Sequence, residues 1–261
     1  MATDLEADKK QRIAWRESFQ AFASELMHVE HRDIPGKLVR LVPNHAQQNF
    51  IDSIQRMVAL NLKMQVDVAR AGQESYIPNL LKRVDEGRKI LDHEIGLRLL
   101  YTKSRHAGVT SICIALSEQR LQFVSHYPTL LMAHDQDASE EIFRKRQVMF
   151  DNWPAENLHL RSTPEYDSMD RVQFAHGSRC SVRTAGVRGK RAKTRGWHFK
   201  LYHFSEYAHY ETYSDVKACM AIAPASAWVI KESTANGRSG PFWQEWQQSL
   251  TIEEAERAYA E

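Results

Sequence analysis

LRLLYTKSRHAGVTSICIAL, residues 97–116, passes from a short apolar segment through a polar loop containing Gly108 into a second apolar segment. The first segment has the length of a strand and the second has room for a helix, so the stretch predicts strand–loop–helix. In that arrangement, loop N–H groups and the positive end of the helix face an incoming anion. The stretch therefore predicts a phosphate-binding turn, with an ordinary glycine-containing turn as the alternative.

The loop departs from the standard phosphate-binding pattern, G-x-x-x-x-G-K-[ST], at two positions. Gly108 matches the second glycine, and Thr110 matches the hydroxyl residue that binds Mg²⁺. Val109 stands in place of the lysine and Lys103 in place of the first glycine. We expect Lys103 to reach the phosphates from the start of the loop. Arg105 is a candidate to stabilise charge on the transferring phosphoryl group.

Other segments predict the rest of an α/β sheet. Strands are predicted at 129–134, 199–204 and 227–233, a hairpin over 171–184 turning at His176-Gly177, and a helix after residue 134 capped by Asp137 or Ser139. Earlier helices are predicted over 5–31, over 46–71 with Asn44 as N-cap, and over 77–93. Strands alternating with helices from about residue 95 favour a mostly parallel sheet with helices on both faces. Ligands bind at the carboxyl ends of such strands.

Two more strand ends carry polar residues that suit nucleotide hydrolysis. KLYHFSEYAHY places Ser205 and Glu206 after an apolar strand, where one residue contacts the Mg²⁺ shell and the next polarises water. Ser205 stands where an aspartate is usual, so we expect it to bind Mg²⁺ weakly or through water. In VIKESTANG, the residues Ser233, Thr234 and Asn236 are candidates to sense the γ-phosphate. The alternatives are a surface carboxylate and an ordinary strand–turn.

A basic segment and a group of histidines suggest further sites. RTAGVRGKRAKTRGWH, residues 183–198, suits a DNA backbone, with a solvated hairpin as the alternative; its candidate DNA-binding residues are Arg188, Lys190, Arg191 and Lys193. His198, His203 and His209 flank Glu206 and invite a zinc interpretation. Alternation along a strand sends residues 198 and 203 to opposite faces, which disfavours a metal centre.

Composition indicates an ordinary soluble protein. Hydrophobic residues make up 43% and charged residues 26%, with a formal net charge of +2. The three cysteines include no C-x-x-C pair, which suits a reducing cytoplasm. No apolar run approaches the roughly 20 residues of a membrane helix, and the N-terminus is too charged for a signal peptide. We expect no membrane association.

Together the motifs resemble the ATPase domain of the large terminase subunit, the DNA-packaging motor of tailed bacteriophages. The resemblance rests on Gln47, KSRHAGVTS, AHGSRCSVRTAG…RG, YHFSE and ESTANG, in that order over about residues 35–245. It implies an α/β P-loop NTPase of the additional-strand, catalytic-glutamate type. We expect a mostly parallel central sheet flanked by helices, with a helical N-terminal extension.

The resemblance also implies roles for individual residues. Some members of the family carry the phosphate-binding lysine at the start of the loop, so Lys103 replaces the lysine missing at Val109. Arg105 and Glu206 correspond to the residues of hydrolysis, and Thr110 and Ser205 to those near the metal. The implied nucleotide-binding residues are Gln47, which reads adenine, and Lys103, Ser104, Arg105, His106, Ala107, Gly108, Val109, Thr110 and Ser111; the implied coupling residues are Ser233, Thr234 and Asn236.

The resemblance implies an ATPase that uses Mg²⁺ with ATP to move double-stranded DNA into a procapsid. Its implied partners are the DNA, a portal protein, a small terminase subunit and further copies in a ring, with a monomer in solution. Its implied place is the bacterial host cytoplasm and, transiently, the portal. Val109 and Ser205 support a non-catalytic or regulatory nucleotide-binding module instead. A helicase-like DNA-dependent ATPase is the other alternative.

The expected organisation has three parts. We expect a helical N-terminal segment over 1–34, an ATPase domain over 35–248 and a polar helical tail over 249–261. Large terminases normally continue into an RNase H-like nuclease, whereas this sequence ends at EEAERAYAE. We therefore expect no nuclease activity in this chain, which is either an excised or short ATPase module or has its nuclease on another chain.

Overall fold

The computed structural model describes residues 5–31, 34, 36–70, 95–186 and 197–260, and only the backbone of 64–70. Its first part comprises α1 (Leu5–Glu17), α2 (Phe19–Leu26), β1 (His28–Glu30), β2 (Leu38–Arg40) and α3 (His45–Arg70). The prediction of one helix over 5–31 is wrong. Ser18 interrupts the helix and caps α2 by accepting a hydrogen bond from the Ala21 N–H, and the chain beyond Leu26 is extended so that β1 pairs with β2. The helix predicted over 77–93 lies outside the described residues.

The second part contains the main sheet and its helices. Its elements are β3 (Leu97–Thr102), α4 (Val109–Phe123), β4 (Pro128–Ala133), α5 (Gln136–Asp151), β5 (Pro164–Ser168), β6 (Arg171–Phe174), β7 (Arg179–Thr184), β8 (Leu201–Ser205), α6 (Ser214–Ile222), β9 (Trp228–Ser233), α7 (Gly240–Gln248) and α8 (Ile252–Ala260). The predicted strands and hairpin are present. The predicted cap of α5 is wrong, because Asp135 rather than Asp137 or Ser139 accepts the Ala138 N–H, at 2.7 Å.

The order of the strands in the sheet is β3-β9-β8-β4-β7-β6-β5, counted over the described residues. The first five strands are parallel, and β6 and β5 continue the sheet antiparallel. Although β9 comes last in the chain, it lies between β3 and β8. This inserted strand is the additional strand that the predicted fold type requires, and it brings the carboxyl ends of β3, β9 and β8 together.

The sheet is covered by apolar side chains on both faces, as alternation along the strands dictates. On β8, Leu201 packs with the cluster formed by α1 to α5, whereas Tyr202 and Phe204 pack with the cluster formed by α6 and α7. On β9, Ile230 and Val229 divide between the same two clusters. The strands are therefore buried on both faces, which is typical of a parallel sheet.

Helix α4 is buried nearly all round, including polar residues that a surface helix exposes to water. Glu118 and Arg146 of α5 are each 1% exposed and form an ion pair with 2.6 Å between Oε1 and Nε. Gln119 donates to the Trp15 carbonyl at 2.6 Å, so α1 covers the other side. Each of these three side chains thus has a polar partner inside the protein, which offsets the cost of its burial.

The C-terminal helix α8 lies against α3 through exposed ion pairs. Arg56 contacts Glu253 and Glu256, each at 2.8 Å. Over the residues that the structure describes, no helix is both long enough and apolar enough to cross a membrane.

Candidate nucleotide-binding site

The predicted phosphate loop connects β3 directly to the N-terminus of α4. Gly108 is the N-cap residue and adopts φ +75°, the left-handed conformation that glycine accepts without steric cost. A Cβ at this position would lie 2.5 Å from Gln47 Nε2, so the backbone approaches a side chain closely here. The 15 residues of α4 direct the positive end of their dipole at the loop. This geometry is suited to an anion.

Val109 is the first residue of α4, and its side chain is fully buried in the core. A lysine at this position would carry its charge into apolar surroundings. A cation at the standard lysine position would therefore be buried in the core, and the replacement of that lysine by Lys103 stays a prediction.

Lys103 lies at the start of the loop and points into the site. Its Nζ lies 2.7 Å from Glu206 Oε1 and 3.0 Å from Glu232 Oε2, and the side chain is 8% exposed. Burial alone would lower the pKa of Lys103, but Glu232 and Glu206 outweigh burial, and the pKa is raised. Its backbone N–H donates to the Ser233 carbonyl, which ties the loop to β9. Lys103 is therefore charged and anchored at the sheet edge.

Glu206 follows β8 in a left-handed conformation, with φ +54°. Its Oε2 accepts hydrogen bonds from the Thr234 N–H at 3.0 Å, from the Thr234 hydroxyl at 3.1 Å and from the Ser233 hydroxyl at 3.3 Å. Burial would raise the pKa of Glu206, but hydrogen bonds from Lys103 and Thr234 lower it below its usual value. The carboxylate is therefore ionised and partly exposed, as a group that orients water must be.

The two hydroxyl groups that were predicted to bind Mg²⁺ both donate to one carboxylate oxygen. Thr110 Oγ1 and Ser205 Oγ each donate to Glu232 Oε1 at 2.8 Å. These groups are all oxygens, lie close together and face the N-terminus of α4. Mg²⁺ prefers such ligands, so the residues present fit the ion that accompanies ATP.

Gln47 lies beside the phosphate loop, and its amide already has partners within the protein. Nε2 donates to the Gly108 carbonyl at 3.0 Å, and Oε1 accepts from the Asn44 N–H at 2.9 Å. The Asn44 side chain accepts in return from the Gln47 N–H, so Asn44 caps α3 as predicted. The role of Gln47 in reading adenine stays a prediction.

The other predicted site residues differ in exposure and in their hydrogen bonds. Ser104, Arg105 and His106 are exposed on the loop, whereas Ala107 is buried. Asn236 donates to the Ala208 carbonyl at 3.0 Å. Ser111 donates its N–H to the Gly108 carbonyl within the first turn of α4. The predicted DNA-binding residues Arg188, Lys190, Arg191 and Lys193 lie outside the described residues.

Sequence reasoning missed Glu232, and it considered His203 and His209 only as zinc ligands. Glu232 is fully buried, and His203 Nε2 lies 3.3 Å from its Oε1. His209 Nε2 lies 3.1 Å from Thr234 Oγ1 and 4.0 Å from Glu206 Oε2. The strand WVIKES carries Lys231, Glu232 and Ser233 at its carboxyl end, and no local pattern distinguishes Glu232 from its polar neighbours.

Comparison with known proteins gives a likeness of fold. No protein-family model matches the sequence, and no curated protein matches it significantly. The structure matches the HK97 bacteriophage large terminase with a TM-score of 0.54 at 12% identity, over 94% of this chain and 42% of that chain. The chain thus spans less than half the length of that protein.

Two further matches are weaker and cover less of the chain. The Thermus phage P74-26 large terminase ATPase domain matches with a TM-score of 0.40 at 14% identity, over 58% of this chain and 62% of that one. An arginine-to-alanine mutant of the same domain matches with a TM-score of 0.41 at 12% identity, over 60% and 65%. The likeness to the HK97 protein is one of fold, and at that level it confirms the predicted resemblance: this chain has the α/β fold found in a bacteriophage large terminase.

Proposed function

We propose that this chain is an ATP-hydrolysing motor domain of a viral large terminase, which drives double-stranded DNA into a procapsid. One observation carries the proposal. Glu206 contacts both Lys103 and Thr234, so residues of three separate motifs meet at the carboxyl ends of three adjacent parallel strands, beside the N-terminus of α4. Nucleotides bind at this edge in open α/β sheets.

The chemistry follows from the charges at this edge. The phosphates of ATP bind the N–H groups at the start of α4 and the Nζ of Lys103, and exposed Arg105 neutralises charge on the phosphoryl group that transfers. Thr110 and Ser205 would hold Mg²⁺, which would neutralise charge on the phosphate oxygens. Glu206 Oε accepts a hydrogen bond from the attacking water and polarises it.

Coupling between hydrolysis and movement runs through Thr234. Its N–H and hydroxyl both bind the Glu206 carboxylate, and Ser233 links the same carboxylate to the Ala208 N–H. Asn236 binds the Ala208 carbonyl in the same turn. A change at Glu206 on hydrolysis is therefore transmitted to the segment after β9 and to the turn after β8. Such loop rearrangements are a common means of switching.

The proposed partners are double-stranded DNA, a portal protein and a small terminase subunit. The proposed assembly is a homo-oligomeric ring during packaging, formed from a monomer in solution. The proposed place is the host bacterial cytoplasm, with transient attachment to the portal of the procapsid.

Phosphate release from Mg²⁺·ATP, measured with and without double-stranded DNA, tests the proposal. Turnover that rises with DNA and disappears in Glu206→Gln supports a motor. Nucleotide binding without turnover would instead identify a non-catalytic module. Protection of DNA from nuclease in the presence of procapsids and portal separates packaging from helicase-like translocation, because only packaging shelters the DNA.

A further inference from the structure

A carboxylate that none of the predicted motifs assigned lies at the centre of the site. Glu232 is fully buried at the end of β9. Its Oε1 lies 2.8 Å from the hydroxyls of Thr110 and Ser205, and its Oε2 lies 3.0 Å from Lys103 Nζ. Both of its oxygens thus face hydrogen-bond donors, and one of them forms an ion pair with the Lys103 ammonium. Glu232 is therefore ionised.

The charge balance of the site calls for another cation. One ammonium, Lys103, contacts two carboxylates, Glu206 and Glu232. The two carboxylates therefore share one ammonium, and the imidazole of His203 lies 3.3 Å from Glu232 Oε1. A buried carboxylate is costly unless a cation or hydrogen bonds compensate it. A divalent cation arriving with a nucleotide supplies what the cluster lacks.

The position of Glu232 explains why Ser205 is tolerated where an aspartate is usual. Ser205 and Glu232 are paired neighbours in the register of β8 and β9. Both side chains point to the α4 face, because Thr110 of α4 binds the same oxygen that Ser205 binds. The carboxylate that β8 does not supply is thus delivered from β9 to the point where the two hydroxyls meet.

We propose that Glu232 is the carboxylate that binds the metal of the nucleotide site. It does so from β9, in place of the aspartate that is usual at the position of Ser205 on the adjacent strand β8. The inference rests on the proposed function, because it concerns the metal that accompanies ATP. The competing role for Glu232 is that of a buried counter-ion which only holds Lys103 in place. The two roles differ in how removal of the charge affects the metal and the nucleotide separately.

Three variants separate these roles. Glu232→Gln removes the charge with little change in shape. The double variant Ser205→Asp/Glu232→Ser exchanges the two side-chain types between the strands and conserves the number of charges. Glu245→Gln is the matched control, because Glu245 binds Lys231, which neighbours Glu232 on β9 but faces the other side of the sheet. Circular dichroism and thermal unfolding establish that each variant is folded.

The measurements are Mn²⁺ affinity by electron paramagnetic resonance in the presence of ADP, and ADP affinity by calorimetry with and without Mg²⁺. Glu232→Gln should weaken Mn²⁺ binding roughly 10- to 100-fold, while ADP affinity without metal changes little. The exchange variant should recover most of the Mn²⁺ affinity, and Glu245→Gln should match the wild type.

The outcomes distinguish this inference from the proposed function. If wild-type protein binds no ADP or ATP, the proposed function fails and the inference fails with it. If the wild type binds Mg²⁺·ADP and folded Glu232→Gln keeps the same Mn²⁺ affinity, the inference alone is overturned. A rise in metal-free ADP affinity with unchanged metal dependence would identify Glu232 as the counter-ion of Lys103. An exchange variant that folds without regaining Mn²⁺ affinity would also count against the relocated carboxylate.

Discussion

Lys103 Nζ and Glu206 Oε1 lie 2.7 Å apart and form an ion pair at the mouth of the site. The group proposed to bind phosphate and the group proposed to orient water are thus each other's partner in this conformation. A phosphate that binds Lys103 competes with Glu206 for the ammonium. In the proposed function, a bound nucleotide would draw Lys103 away from Glu206 and leave the carboxylate held by Thr234. Occupancy of the site would then be coupled to the position of the proposed catalytic group.

Glu206→Gln is expected to separate binding from turnover. Loss of a general base lowers kcat by roughly 10²- to 10⁴-fold, whereas ground-state binding depends on it little. Because the neutral amide competes less for Lys103, the affinity for Mg²⁺·ATP should be retained or increased. Calorimetry and phosphate release measure the two quantities.

Glu211→Gln is the control for Glu206→Gln, since Glu211 is an exposed carboxylate on the same connection. It should leave both affinity and kcat unchanged. A Glu206→Gln variant that is folded and hydrolyses ATP like the wild type would show that Glu206 is structural.

Lys103→Ala is expected to abolish ATP binding or turnover while the protein remains folded. The change removes the ammonium that compensates Glu206 and Glu232, so repulsion between the carboxylates and the phosphates adds to the loss of the contact. Lys231→Ala is the matched control, because Lys231 forms an equally short ion pair, 2.6 Å, with Glu245 away from the loop.

Val109→Ala provides a second comparison for Lys103. Val109 is buried in the core, so its truncation should lower the unfolding temperature rather than the affinity for ATP. Equal ATP turnover by Lys103→Ala and the wild type would exclude Lys103 as the substitute for the lysine missing from the helix.

The fold was largely predictable because its signals are local. The apolar runs of β3, β8 and β9 have strand length, and the carboxyl ends of parallel strands meet at one edge, which is why Lys103, Glu206 and Thr234 were expected together. The break at Ser18 was missed, because apolar residues recur at a spacing near 3.6 on both sides of it. The extended backbone of Ser18 ends α1, and its side chain caps α2 by accepting the Ala21 N–H.

Glu232 could not be assigned to the site from the sequence, because its neighbours are set by the order of strands. Only the insertion of β9 between β3 and β8 brings it to Ser205 and Lys103. Gln47 raises the same difficulty: it was expected to read adenine, but its hydrogen bond to the Gly108 carbonyl depends on how α3 packs. Long-range packing, which no local pattern records, decides both.

Gly108→Ala is expected to destabilise the protein and weaken nucleotide binding. A left-handed conformation costs a non-glycine residue about 1–2 kcal/mol. The added Cβ, 2.5 Å from Gln47 Nε2, also displaces the Gln47 amide from the Gly108 carbonyl, for roughly 1 kcal/mol more. Urea unfolding and ADP calorimetry measure both effects.

Gly237→Ala isolates the backbone contribution to that loss. Gly237 has φ +73° but no atom within 4 Å of an added Cβ, counted in the part of the chain that the structure describes. The Gly237→Ala variant should lose only the stability that the left-handed conformation costs alanine, and it should keep its affinity for ADP. If the two alanine variants are equally stable and bind ADP equally, the close approach of Gln47 has no energetic importance.

Glu118→Ala is expected to lower the free energy of unfolding by about 3–5 kcal/mol, because it leaves the buried charge of Arg146 without its carboxylate. Replacing the pair together, as Glu118→Leu/Arg146→Met, should cost much less. Glu141→Ala is the control, since its 2.8 Å ion pair with Arg144 is exposed and worth about 0–1 kcal/mol. If Glu118→Ala and Glu141→Ala lower the free energy of unfolding by similar amounts, the uncompensated charge of Arg146 is not what destabilises the protein.

The basic segment 183–198 is expected to grip the DNA backbone. Each phosphate contact releases counterions and contributes about −0.9 to the slope of log affinity against log salt. Replacing Arg188, Lys190, Arg191 and Lys193 with alanine should therefore weaken binding about equally for all DNA sequences and flatten the slope by up to about 3 to 4. ATP affinity should change little, because the segment precedes β8 and is not part of the phosphate loop.

The DNA measurement needs conditions in which weak contacts can be detected. A ring multiplies weak contacts through effective concentration, so the assembled motor, or high protein concentration at low salt, is the appropriate sample. A matched control replaces four exposed cations from the first 40 residues, Lys9, Lys10, Lys37 and Arg40. This control removes the same net charge at another place, and it separates a general loss of attraction from a loss of specific phosphate contacts. If both quadruple variants flatten the slope equally, the effect comes from net charge; if the variant in 183–198 keeps the wild-type slope, DNA is bound elsewhere and the segment is a solvated hairpin.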